Sequence, residues 1–176
     1  NRAQRTWVAR AAKRIDSTVA FGSTKPLNRP GDIFFLNGAF PPTAEEIQAY
    51  TPTPVIFGEA SVAKPYTAPS LFNISAMSYG ALSGPAISAL SQGAYQSGIW
   101  LNTGEGGLSP FHQQAPCDLV FQIGTAKYGV RDEQGRLDAT KLTELAAIPE
   151  IKMFEIKLAQ GAKPGKGGIL PGEKVT

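Results

Sequence analysis

Cysteine and histidine are almost missing from this sequence: Cys117 and His112 are the single representatives in 176 residues. One thiol forms no bridge within the chain, so a disulfide-stapled scaffold is excluded. The usage suits a reducing compartment, with the cytoplasm as the expected location. One thiol and one imidazole also leave a zinc or iron–sulfur centre without enough ligands from this chain. Long apolar runs are lacking, since no stretch approaches the roughly 18 consecutive apolar residues of a membrane-spanning helix. The excess of positive over negative charge is small, the formal net charge being +3. It is unevenly placed: residues 1–30 hold seven Lys/Arg against Asp16 alone, and residues 31–60 hold four acids and no Lys/Arg. Bases gathered at one end make no platform for nucleic acid, which is not expected as a partner. What the chain does have is 42% apolar residues, 19 glycines and 14 prolines. That composition is globular and loop-rich, with material for one domain or one plus an appendage.

Residues 3–15 have helical spacing, with Ala3, Trp7, Val8, Ala11, Ala12 and Ile15 set among Arg2, Arg5, Arg10, Lys13 and Arg14. A solvated helix docked on a larger body, a membrane-surface helix and a transit peptide all compete for this pattern, which keeps membrane association of the parent protein open. Position 1 is Asn rather than Met, so the chain is expected to begin inside a longer protein or to have been processed. Residues 22–70 are broken by proline and glycine. Only short elements are expected there, a strand at Ile33–Leu36 and a helix at Thr43–Ala49 capped by Thr43. Residues 1–68 therefore read as a wrapping segment.

From Pro69 the rhythm changes. Apolar runs at Leu71–Ala76, Ile99–Leu101, Leu119–Ile123 and Ile151–Leu158 predict four strands, and helices are expected over Ser83–Gln96 and Asp138–Ala147. Near-continuous apolar strands alternating with helices signal a parallel sheet covered by helices. In such folds the ligand meets the carboxyl ends of the strands. Here those ends carry Met77-Ser78-Tyr79-Gly80, then Asn102-Thr103-Gly104-Glu105-Gly106-Gly107, then Gln122 with Gly124-Thr125, then Lys157. Glycines permit close backbone approach, while lysine and glutamine supply donors to an anion or a heterocycle edge. Plainer readings stand beside this one. The glycines can be turn formers, Glu105 a solvated loop acid, and Gln122 a partner for backbone. Glu155 and Lys157 share a strand face and can form a simple ion pair. His112 reads as a loop residue and Cys117 as inert. The run Gly161–Gly168 imitates a phosphate loop but has three residues between Gly161 and Gly165, and Gly167 where Ser or Thr belongs, so that motif is rejected.

Three segments, Asn73–Ser83, Asn102–Gly107 and Glu155–Gly165, resemble the FMN-binding synthase domain of glutamate synthase. The Arg2–Lys13 region and the ending Gly167–Thr176 look like the stand-alone bacterial FMN-binding glutamate synthase family proteins. The resemblance implies an α/β fold, a (β/α)₈ TIM barrel with FMN at its carboxyl face, of which residues 69–176 carry roughly the first half. It implies cofactor contacts from Ala76, Met77, Ser78, Thr103, Gln122 and Lys157, and a 2-oxo acid pocket at Glu105 and Lys163. Lys157 and Glu105 are the implied catalytic residues. The implied reaction is hydride delivery from reduced FMN to a 2-imino acid, forming glutamate from 2-oxoglutarate and ammonia.

Two departures qualify what the resemblance implies. Ile169 stands where glutamate synthases usually carry Gln, removing a donor to a substrate carboxylate, so an FMN enzyme for another amino acid is one alternative. The chain also stops after about four β/α units of a fold that takes about 250 residues. It is expected to be the front portion of a longer polypeptide, inactive alone, completed by the rest of the barrel or by a complementary chain. A non-catalytic half-barrel binding or assembly module is the other alternative. An electron-donor protein is an expected partner, and an iron–sulfur cluster, known in the full-length family, finds no ligands here.

Overall fold

The computed structural model describes residues 2–13, 29–31, 38–51, 53–160 and 170–174, in two units, residues 1–49 and 50–176. The first holds helix α1 (Arg2–Ala12) and helix α2 (Ala44–Ala49). Thr43 caps α2 as expected: its hydroxyl accepts from the Glu46 amide at 3.2 Å, and the Glu46 carboxylate accepts from the Thr43 amide at 2.7 Å, a reciprocal capping box. The expected strand at Ile33–Leu36 lies outside the described residues.

The second unit begins with a hairpin that the proline-rich sequence concealed. Strands β1 (Val55–Phe57) and β2 (Tyr66–Ala68) pair antiparallel, Val55 opposite Ala68 and Phe57 opposite Tyr66. Phe57 and Tyr66 gather with Trp100, ring centroids 5.8 and 6.3 Å from the indole. The Tyr66 hydroxyl donates to Asp118 Oδ2 at 2.8 Å. Trp100 and Asp118 immediately precede strands β3 (Leu101–Asn102) and β4 (Leu119–Ile123), so the hairpin packs at the amino ends of the sheet.

Helix α3 (Gly84–Ser97) starts at Ser83, whose side chain accepts from the Ala86 amide, and stops at Gly98 in the left-handed region at φ 61°. Its buried Ile87, Ser91 and Ala94 recur at helical spacing. Helix α4 (Ala139–Ala146) is capped by the Asp138 carboxylate, which accepts from the amides of Thr140 and Lys141. Strand β5 (Ile151–Ile156) completes a three-stranded parallel sheet ordered β3-β4-β5.

Alternation gives this sheet two unlike faces. Leu101, Leu119, Phe121 and Ile151 pack with Ala94 of α3, Cys117 and Val130 into the core, and Leu142 and Leu145 of α4 lie against it. The opposite face carries Asn102, Val120, Gln122, Met153 and Glu155, because Val120 pairs with Met153 and Gln122 with Glu155 after a one-residue slip between Leu119 and Val120. Apolar side chains occupy the middle of that face, and polar ones its carboxyl end.

The expected first strand, Leu71–Ala76, is corrected to one parallel bridge, Ile74 with Leu101. Ile74 exchanges bonds with Trp100 and Asn102 at 3.0 Å, but the next amide to reach the Asn102 carbonyl is that of Met77. A regular parallel ladder would use Ala76 there, so the segment contains one extra residue, in effect a bulge that ends the pairing. Asn73 adds to the irregularity: its side-chain oxygen accepts the Trp100 amide at 3.1 Å.

Candidate functional site

The carboxyl ends of these strands converge because two glycines remove Cβ atoms that would hold them apart. Asn102 Oδ1 accepts from the Gly104 amide at 2.9 Å, closing an Asx turn that reverses the chain after β3. Gly104 sits at φ 67°, and a Cβ there would meet the Ser78 nitrogen at 2.8 Å. This position admits glycine alone, which lets the Met77–Ser78 backbone lie directly on the β3 tip. At the end of β4, a Cβ on Gly124 would fall 2.2 Å from Glu105 Oε2 and 2.7 Å from Glu105 Cβ. The Glu105 side chain therefore lies across the backbone of Gly124.

Polar side chains fill the space so formed. Glu105 Oε1 accepts from Lys157 Nζ at 3.0 Å and from the Gln160 amide. The ion pair is half sheltered, the side chains retaining 31% (Lys157) and 16% (Glu105) of their exposure, which strengthens it relative to a solvated pair. One strand position back, the buried Gln122 amide donates to Glu155 Oε1. The alternative Glu155–Lys157 ion pair is thereby corrected: Glu155 turns to its cross-strand partner Gln122, and Lys157 reaches forward to Glu105. Thr103 is fully buried. Its hydroxyl donates to the Gly104 carbonyl at 3.0 Å and accepts from the Gln122 amide nitrogen of the backbone at 3.2 Å, tying the β3 and β4 tips.

Met77 and Ser78 are half-buried and Ala76 is exposed; the Ser78 hydroxyl accepts from the Ala81 amide at 3.2 Å. The structure thus gathers Ser78, Glu105 and Lys157 around the β3–β5 tips, with Met77, Thr103 and Gln122 directly behind them. Lys163 and Ile169 lie outside the described residues. Across the turn after Ser78 runs the Gly172–Lys174 helical turn. There Lys174 Nζ donates to the carbonyls of Tyr79 and Leu82 at 3.2 and 3.1 Å, and Leu170 abuts Gly80.

Several participants escaped sequence reasoning. Gln160 and Glu155 lay inside the segments singled out, yet only their partners' positions give them roles. Lys174 gave no local signal, since its acceptors are more than 90 residues away. His112 lies in a turn, as expected of a loop residue, but is fully buried there, Nε2 facing the Met77 carbonyl at 2.9 Å. A cavity of about 530 Å³ opens beside the cluster rather than within it. It shares Gly106 with the site, and its lining includes the basic Arg131 and Lys141, the acidic Asp132, Glu133 and Glu144, and the apolar Leu145. Polar side chains converge at the strand tips, and the cavity beside them is of mixed charge.

Comparison with known proteins bears on this arrangement. Residues 39–176 match the family model described as a conserved region in glutamate synthase. The chain is 43% identical over 122 residues to the glutamate synthase large subunit-like protein YerD of Bacillus subtilis, covering 69% of this chain and 23% of that protein. It is 36% identical over 125 residues to a glutamate synthase large subunit-like protein of Rhizobium meliloti, covering 70% and 25%. The archaeal-type glutamate synthase [NADPH] of Thermotoga maritima is 42% identical over 101 residues, covering 57% and 17%. The chain therefore spans a quarter or less of the length of these relatives. No solved structure gives a significant match.

Proposed function

This chain belongs to the glutamate synthase family, and from that membership we propose that it forms the front part of an FMN-binding (β/α)₈ barrel. The barrel's reaction, on this reading, is the reductive formation of glutamate from 2-oxoglutarate and ammonia. The barrel reading is supported by the parallel sheet with both helices on its apolar face. It is also supported by β5, which among the described residues pairs with β4 alone and exposes Ile156 to 70%, with Leu158 just beyond it exposed to 88%, as an edge strand open to a further partner would.

The donor set fits a flavin. The Gln122 amide both donates and accepts, matching the alternating edge of the ring, and Lys157 offers an ammonium on the same sheet face. Ser78, brought onto Gly104 where no Cβ intervenes, gives a backbone floor that a flat ring can approach. When bound, FMN supplies the hydride that, with a proton, reduces the imine formed from the 2-oxo acid and ammonia with loss of water. The protein's part is to bind and orient. Lys157 balances the negative charge of the reduced ring, Gln122 fixes the ring edge, and Thr103 holds the β3 and β4 tips in register. Glu105 keeps Lys157 and Gln160 in place and presents an acceptor on the substrate side. Lys163, outside the described residues, suits a substrate carboxylate as a point charge.

The observation that carries this reading is the meeting of Glu105, Lys157 and Gln160 beside Gln122 at the carboxyl ends of parallel strands. The test is purification of the complete polypeptide and addition of FMN. A bound yellow cofactor is expected, and Lys157→Met should weaken it roughly tenfold, the effect of about 1.4 kcal/mol from one charge-assisted contact. A colourless protein that ignores FMN refutes the reading. The names of the Thermotoga relatives carry NADPH, which makes that nucleotide the first electron donor to try. Ile169 favours a second reading, a flavin enzyme for a different 2-oxo acid, which a substrate panel over the reduced protein decides.

A further inference from the structure

We propose that His112 is a positioning residue that fixes the peptide between Met77 and Ser78 and so sets the aim of the Ala76–Ser78 segment. What that segment faces rests on the flavin reading above; the fixing of the peptide does not.

The hydrogen-bond pattern around the ring permits one protonation state. Nε2 lies 2.9 Å from the Met77 carbonyl oxygen, which only accepts, so Nε2 carries the proton. Nδ1 accepts from the Ser109 amide at 3.1 Å, and an amide only donates, so Nδ1 is bare. The Ser109 hydroxyl, 2.8 Å from Nδ1, completes the shell as a second donor. A second ring proton would point at two donors. Burial pushes the imidazole in the same direction, below its ordinary range, against the smaller opposing pull of the Met77 carbonyl.

The ring is also built in from behind. The His112 amide donates to the Ser109 carbonyl at 3.0 Å, closing the turn whose first residue the ring grips. Ser91, buried on α3, donates to the His112 carbonyl at 2.9 Å and accepts from the Ala115 amide at 3.0 Å. A continuous path of hydrogen bonds therefore runs from buried Ser91 on α3 through the 109–115 turn to a half-buried peptide 35 residues earlier in the chain. That peptide is where fixing is needed. The Met77 amide makes the last bond to β3, and its carbonyl, already out of the ladder, is taken by His112. Among the described residues no other hydrogen bond sets the rotation of that peptide plane.

Two substitutions separate positioning from packing. In His112→Gln the terminal amide nitrogen sits at the same number of bonds from Cα as Nε2 and still donates to Met77. In His112→Asn the side-chain oxygen replaces Nδ1, keeping the Ser109 bond while losing the one to Met77. In histidine-selective ¹⁵N spectra of the complete polypeptide, prepared with ¹³C-carbonyl methionine, the ring signals that vanish in His112→Gln are those of this ring. The expected result is a protonated Nε2, a bare Nδ1 and a measurable coupling across the hydrogen bond to the Met77 carbonyl carbon. His112→Gln should retain the Ser78 amide resonance and FMN affinity. His112→Asn should move that resonance and weaken FMN roughly tenfold, as loss of one buried orienting bond does. An Nδ1-protonated ring, or equal Ser78 shifts in the two variants, overturns the proposal. Should neither variant fold, the coupling in the unaltered protein decides it. Failure of the unaltered protein to take up FMN sinks the flavin reading, while the Ser78 resonance still rules on His112.

Discussion

Gly124→Ala gives the sharpest test of how the site is assembled. The substitution is small and no left-handed conformation is at stake at Gly124, so by backbone criteria alone the alanine should stabilise by about 0.4–1 kcal/mol through the unfolded chain. Packing argues the other way. The new methyl would stand 2.2 Å from Glu105 Oε2 and 2.7 Å from Glu105 Cβ. The carboxylate can rotate aside, but Cβ moves only with its backbone. Overpacking of this kind costs about 1–3 kcal/mol, and swinging the carboxylate away forfeits the half-sheltered pair with Lys157, up to about 1 kcal/mol. The net expectation is destabilisation of about 1–3 kcal/mol. In a Glu105→Gly background both offending atoms are gone, and the sign should reverse toward the mild stabilisation of an ordinary Gly→Ala change. Urea unfolding of the four proteins in this cycle, compared at constant m-value, measures the coupling. An equal cost in both backgrounds would mean that Glu105 does not lie across Gly124, and the assembly of the site described above would be wrong.

Two further outcomes follow from buried polar groups. Since His112 is held neutral below its ordinary pKa of 6.5, the unfolded chain takes up the proton first on acidification. The contribution is intact above pH 6.5 and is lost as pH falls toward the lowered folded value, with a slope of at most about 1.4 kcal/mol per pH unit. Urea midpoints from pH 7 downward should show the gap between the parent and His112→Gln narrowing; a constant gap refutes this. Tyr66, raised well above the usual phenol range first by burial and then by its bond to Asp118, should stay un-ionised in an ultraviolet titration through the pH range where ordinary tyrosines ionise. Tyr66→Phe should cost about 1–2 kcal/mol, and an unchanged stability would remove the Asp118 bond from the fold.

Much of this was legible in the sequence because it depends on local chemistry. Ser83 and Asp138 mark helix starts, and Leu119–Ile123 a strand, each through residues within a turn or two. The convergence at the strand tips followed from parallel topology, which sends every tip the same way. What escaped depends on distant partners. Leu71–Ala76 has the apolar content of a strand, yet the Asn73 side chain and the extra residue before Met77 stop its ladder after one bridge. Val55–Phe57 was hidden between Pro52, Pro54 and Pro65, although proline at the margin of a short edge strand is tolerated. Glu155 and Lys157 looked paired because they share a face, and only the cross-strand register hands Glu155 to Gln122.

The extra residue between Ile74 and Met77 has a counterpart in protein engineering. Deleting a residue there would bring the alignment with β3 back into step, let the strand run on, and yield a sheet that is more regular and easier to form. The same deletion would turn Ser78 to the other side of the backbone and carry the Met77 oxygen out of reach of the imidazole. Regularity and aim are thus in opposition at this edge, and a screen that rewards thermal resistance alone should drift toward the shorter, straighter and functionally blind version.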